Sequence, residues 1–150
     1  MQILYQIDVR SSDDLSQLRD WLVADSENVE LTRAAWALAE AAWAGHVQAD
    51  AAVVELAPDW PTSRQPPVDR AILRLGYHEM VSGHAPPSVA IDEAVELARA
   101  FCAEESPPFI NGILDGIRKK LDVEGKLPAP ASRADADPWL DDAVDDSGER

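Results

Sequence analysis

The sequence predicts an all-α fold, and three observations carry that expectation. Across residues 1–121 the apolar residues return at intervals of three and four, and two-residue alternation never persists. Prolines and a glycine punctuate these periodic stretches where helices begin or end, at Pro86-Pro87, Pro107-Pro108 and Gly83. Hydrophobic residues make up 46% of the 150, enough for one domain with a sizeable core and too many for a chain disordered throughout.

Residues 1–7, MQILYQI, show helical periodicity from the first position with no capping residue ahead of them, so the chain reads as though it starts inside a helix. Residues 13–24 predict a shorter helix that buries Leu15, Leu18, Trp21 and Leu22. From 29 to 56 a long alanine-rich stretch is apolar on most faces, with Trp36 and Trp43 seven apart. It predicts a central helix packed on several sides, and Gly45 near its middle marks close packing or a bend. Residues 67–81 predict a helix with Val68, Ile72, Leu75 and Met80 inward, Asp69, Arg70, Arg74 and Glu79 left for solvent or partners, and a stop at Gly83. The next helix, 88–102, turns Ile91, Ala94, Val95, Ala98 and Phe101 inward. The last starts from a cap at Ser106 and carries Ile110, Ile113, Leu114, Ile117 and Leu121 on one stripe.

Lys and Arg number 13 against 28 Asp and Glu, a net charge of −15. A surface so negative repels phosphate unless its cations are gathered locally, which argues against indiscriminate nucleic-acid binding. Residues 122–150 hold nine acids and three bases, net −6, and contain Pro128, Pro130, Pro138 and the run Asp141, Asp142, Asp145, Asp146. That segment predicts a disordered, solubilising tail following a domain of residues 1–121; its one bulky pair, Trp139-Leu140, reads alternatively as a docking motif. A single cysteine, Cys102, excludes an intramolecular disulfide, and a small core residue is its simplest role. Without a secretion signature or an apolar run near the roughly 20 residues that cross a bilayer, a reducing cytoplasm is the simplest compartment and no membrane partner is expected. His46, His78 and His84 do not pair at helical spacing, paired Glu-x-x-His ligands are missing, and no glycine loop cradles phosphate, so neither an enzyme nor a cofactor is expected.

Three blocks carry a family resemblance: VDRAILRLGYHEM at residues 68–80, PSVAIDEAVELARAF at 87–101 and FINGILD at 109–115. In order and spacing they resemble the NusB family, and QILYQ at residues 2–6 resembles the end of that family's first helix. The resemblance implies two packed three-helix bundles and a role in transcription antitermination without catalysis. It further implies pairing with the ribosomal protein NusE, joint binding of boxA sequences in nascent RNA, and membership of the RNA polymerase antitermination complex that reads ribosomal RNA operons. The family's arginine-rich stretch ahead of the first-helix tyrosine does not precede Tyr5 here. Either the natural start lies upstream, which the uncapped helix favours, or this member leans more on its protein partner. An alternative reading is a NusB-like helical interaction module without independent RNA binding.

By the same resemblance Tyr5 and Phe109 are candidate RNA contacts, each with core packing as the competing reading; an exposed ring there would stack on an unpaired base. Glu105, Asn111, Asp115 and Arg118 surround the start of the last helix, and Arg118, Lys119 and Lys120 form the densest cationic cluster, suited to phosphate or to the helix dipole. Asp69, Arg70, Arg74, Tyr77 and Glu79 belong to the partner-facing signature. There Asp69 is expected to be exposed to a basic residue of NusE, and Arg74 to bind Glu93 or Glu96 within the fold.

Overall fold

The computed structural model describes residues 1–10 and 12–129. Within them run seven helices: α1 (Gln2–Val9), α2 (Ser12–Ala24), α3 (Val29–Ala44), α4 (His46–Leu56), α5 (Pro67–Ser82), α6 (Pro87–Phe101) and α7 (Ser106–Val123), with a 3-10 turn at Thr62–Arg64. No strand occurs among the described residues, so the fold class is all-α as the periodicity predicts. The Trp139-Leu140 pair and the acidic run lie outside the described residues.

Helix α5 is the axis of the molecule. Ala71, Ile72, Leu73 and Arg74 are all buried, so one full turn has no solvent face and must be covered from both sides. On one side Ala71 joins Leu4 and Ile7 of α1 and Ala39 and Ala42 of α3, with α2 laid outside through Leu15. On the other, Ile72, Leu73 and Met80 join Ile91, Ala94 and Ala98 of α6 and Ile110, Leu114 and Ile117 of α7, with Val53 entering from α4. The helices therefore form two groups of three, α1–α3 and α5–α7, bridged by α4, which packs on α3, α5 and α7. Gly76 makes the closeness of α5 and α7 possible, because a Cβ there would stand 2.8 Å from Leu114 Cδ1.

Several local expectations change. The stretch 29–56 is two helices, broken at Gly45. A Cβ there would meet only Ala42 O, at 3.8 Å, so the glycine marks a bend rather than a close approach. Beside the break His46 stacks on Trp43, with centroids 4.1 Å apart, and donates from Nδ1 to the Trp43 carbonyl at 2.5 Å. Trp21 is 60% exposed and Phe101 54% exposed, although the helical stripes place both inside. Each sits at the edge of its stripe near a helix end; beyond Phe101 it is Cys102 that packs on the second core.

Ser106 does not cap α7. Its hydroxyl turns inward to Asp69, while its N–H donates to Ala103 O at 3.0 Å, and Pro107 and Pro108 have no N–H to satisfy. The helix also continues past Leu121, through Val123, and closes with Gly125 at φ 64 and an Lys126 N–H to Leu121 O bond of 2.9 Å. The boundary expected after Leu121 thus falls inside α7.

Candidate functional site

The sequence-predicted residues fall into three places. Tyr5 lies in a groove of about 620 Å³ lined by residues of α1, α2 and α3 together with Val68 and Phe101. Tyr5 is half-buried, whereas Leu31 and Phe101 are more than half exposed. Among the described residues Arg10 is the only charged residue of this lining, and its Nε donates to Gln6 Oε1 at 2.5 Å. The inward reading of Phe101 hides a second aromatic ring in the lining of the Tyr5 groove. Its place at the edge of the α6 stripe, last before the chain leaves the helix, was the available signal.

A second group runs along α7. Asn111, Asp115 and Arg118 share a groove with Asp92 of α6 and Asp122, so carboxylates outnumber cations on this face. Asp115 accepts from Arg118 Nε at 3.0 Å and Nη2 at 2.8 Å and pairs with Lys119 Nζ at 2.7 Å. These bonds, Lys119 first and then Arg118, hold its carboxyl below the usual range. Lys120 pairs with Glu55 of α4. The whole cationic cluster is thus met by carboxylates, although pairs this exposed are screened by solvent and yield readily to phosphate. Glu105 is exposed immediately before α7, and Phe109 is half-buried against the second core. Phe109 is not part of the lining around Tyr5.

The third group, on α5, is largely internal. Asp69 is only 6% exposed, which corrects the expectation that it faces solvent. It accepts from Ser106 Oγ at 2.6 Å and holds the Cys102 thiol, whose pKa is pushed up to about 12 by burial and by the Asp69 carboxylate. One carboxylate therefore ties the start of α5 to both sides of the α6–α7 junction.

Arg74 does not reach Glu93 or Glu96. Its Nε and Nη2 donate to the two oxygens of Asp50 on α4 at 2.8 and 2.7 Å, and its Nη1 stands 3.0 Å from Asp8 on α1. Its guanidinium also lies 5.1 Å from the Trp43 ring centre. Arg70 donates to Asp8 from Nε at 2.7 Å and from Nη2 at 2.5 Å, and to the Thr62 carbonyl at 3.1 Å. Burial alone would raise Asp8, but the hydrogen bonds from Arg70 and Arg74 outweigh it and keep its carboxyl below the ordinary value. Asp8 is a residue that sequence reasoning missed; its place four residues after Leu4, on the buried face of α1, was the signal. Tyr77 and Glu79 remain half-buried, and burial, aided by repulsion from Glu93, raises the Glu79 carboxyl.

Among the described residues no helix is long and apolar enough to cross a membrane. The NusB family profile matches residues 1–119. The transcription antitermination protein NusB of Saccharopolyspora erythraea is 39% identical over 119 residues, which cover 78% of this chain and 80% of that protein. Its counterpart in Streptomyces coelicolor is 37% identical over 123 residues, covering 79% and 86%. The solved structure of T. maritima NusB superposes with a TM-score of 0.68 at 29% identity over 79% of this chain and 84% of that one. The solution structure of NusB from Aquifex aeolicus, 24% identical, gives the same TM-score over 89% and 91% and shares the fold. With the profile matched from Met1 almost to the end of α7, this chain belongs to the NusB family of transcription antitermination proteins, which are not enzymes.

Proposed function

We propose that this chain binds boxA-type nascent RNA jointly with the ribosomal protein NusE, and so supports processive transcription of ribosomal RNA operons. One observation carries the RNA half of the reading: the groove that holds Tyr5 is also lined by the exposed ring of Phe101 and by Arg10. Aromatic rings beside a guanidinium are what unpaired bases and their phosphates require. The partner half rests on charge, since a chain of net −15 draws a basic ribosomal protein and repels free RNA. Of the α5 signature, Asp69, Arg70 and Arg74 act by holding the surface in shape, and Tyr77 and Glu79 are the residues left for direct contact.

Substituting Tyr5→Ala or Phe101→Ala and measuring boxA RNA affinity in the presence of NusE tests this reading. Each ring lost from a stacking platform is worth about 1–3 kcal/mol, roughly 5- to 150-fold in affinity. Unchanged affinity in both variants would remove RNA from the groove. The pairing of Arg118, Lys119 and Lys120 with Asp115 and Glu55 favours the second reading, a helical interaction module that does not bind RNA by itself.

A further inference from the structure

Helix α2 is seated unlike its neighbours. Of residues 15–24 none is buried, whereas each of the other six helices buries at least two side chains. Leu15, Leu18, Leu22 and Val23 are half-buried, and Trp21 is mostly exposed. The support beneath them is narrow as well. On one side runs the Tyr5 groove, where Leu18 and Leu22 of α2 face Leu31, Thr32 and Ala35 of α3. A second groove, of about 470 Å³, is lined by Arg19 and Val23 of α2 and by Arg33, Ala37 and Glu40 of α3. Successive residues of a helix turn by about 100°, so these two sets of α3 residues lie on either side of a ridge through Thr32 and Trp36.

That ridge holds an unmet donor. Trp36 is 5% exposed, and among the described residues its Nε1–H finds no acceptor. A buried N–H left unpaired disfavours the seated state, and water satisfies it once α2 lifts. The turn after α2 is fastened instead to α3: the Ser26 and Thr32 hydroxyls share a hydrogen bond of 2.6 Å, and the Leu31 N–H donates to the capping Asn28 Oδ1 at 2.9 Å. The run of α2 backbone bonds reaches Asp25, whose N–H donates to Trp21 O at 2.9 Å, so the joint between the two helices falls at Asp25-Ser26. With 13 residues, α2 is too short to persist as a helix in water by itself, so lifting it also melts it.

We propose that residues 15–24 form a flap that opens from α3 about the joint at Asp25-Ser26, as a unit of its own, while α3–α7 stay folded. Opening takes Leu18 and Leu22 out of the wall of the Tyr5 groove and hydrates Trp36 Nε1. RNA seated in that groove then holds the flap down; this last clause rests on the function proposed above, and the opening does not.

Native-state hydrogen exchange of the full chain in low, non-denaturing urea, read from amide and indole proton–nitrogen correlation spectra, is the test. The amides of Leu18, Leu22 and Val23 and the indole N–H of Trp36 are expected to exchange through one common opening that depends little on urea, at least about a hundredfold more populated than the opening that releases Ile72 and Leu114. Ile117→Val, a small loss in the second core, should speed exchange at Ile72 and Leu114 several-fold and leave the α2 amides and the Trp36 indole unchanged. Equal acceleration of both sets, or one opening shared by α2 and the core, would overturn the proposal. Rates that grade along α2 while the Trp36 indole stays with the core would overturn it too, because they describe fraying from an end. Adding NusE and boxA RNA should slow the α2 set. Unchanged exchange in a complex that has formed would overturn the coupling to RNA and keep the opening.

Discussion

Replacing Arg74 with methionine keeps most of the side-chain volume beside Trp43 and removes the guanidinium that joins α1, α4 and α5. The side chains of Arg74, Asp8 and Asp50 are 6%, 9% and 24% exposed, so the substitution strands two carboxylates in a poorly hydrated site. Removing one partner of a buried pair costs about 3–5 kcal/mol. Here the low end applies, about 3 kcal/mol, because Asp50 keeps some water and Arg70 still holds Asp8. Against a total stability of about 5–15 kcal/mol this is a large fraction. It should lower Tm by roughly 10 °C at a few degrees per kcal/mol.

Urea titrations followed by circular dichroism at several pH values give the assay. The ordinary pKa of Asp8 is 3.8, and its value in the fold lies lower. Its stabilisation is therefore present above that ordinary value and is lost as pH falls through the folded one. The gap between the unaltered chain and Arg74→Met should be widest near neutrality and close as the pH drops below about 4, since protonated carboxyls no longer need the guanidinium. A gap under about 1 kcal/mol at neutral pH, or one that stays constant into acid, would refute the assignment of this network as the tie between the helix groups.

Gly76→Ala should cost about 1–3 kcal/mol in a urea titration, because the new methyl would lie 2.8 Å from a Leu114 side chain that is fully buried; no loss would mean that α5 and α7 can part easily. Asp69→Asn should bring the Cys102 thiol below its present pKa of about 12 by removing the neighbouring anion, while burial keeps it above the ordinary 9.0, as read from thiolate absorbance against pH. An unchanged titration would detach Cys102 from Asp69. Arg118→Gln and Lys119→Gln should each flatten the salt dependence of RNA binding by about 0.7 in log–log slope if the residue meets a phosphate, and an unaltered slope would leave Asp115 as their only partner.

Sequence periodicity sufficed for much of the architecture. The stripe Ile110, Ile113, Leu114, Ile117 is buried as expected, and Gly83 stops α5 in the left-handed conformation at φ 72. These features are local, set by spacing of three and four or by one residue's backbone freedom. The polar ties were not legible for the opposite reason. Arg74 meets Asp50 24 residues away, Arg70 meets Asp8 62 away and Asp69 meets Ser106 37 away, and no local period specifies which acid a buried base will find. Residues that read as a partner-facing surface are consequently in large part the internal fastening of α5. Phe101 differs in the opposite sense: its place at the end of an apolar stripe predicts core, whereas it is exposed and lines the Tyr5 groove.

The charge of −15 bears directly on how RNA is held, because it predicts weak binding by this chain alone and strong binding once a basic partner is docked. The most direct measurement is the affinity of the full chain for boxA RNA with and without NusE, at low and at physiological salt. Joint binding predicts a large gain on adding NusE, with a residual affinity that falls when Tyr5 or Phe101 is truncated. No RNA binding in either arm, or equal affinity with and without NusE, would contradict it.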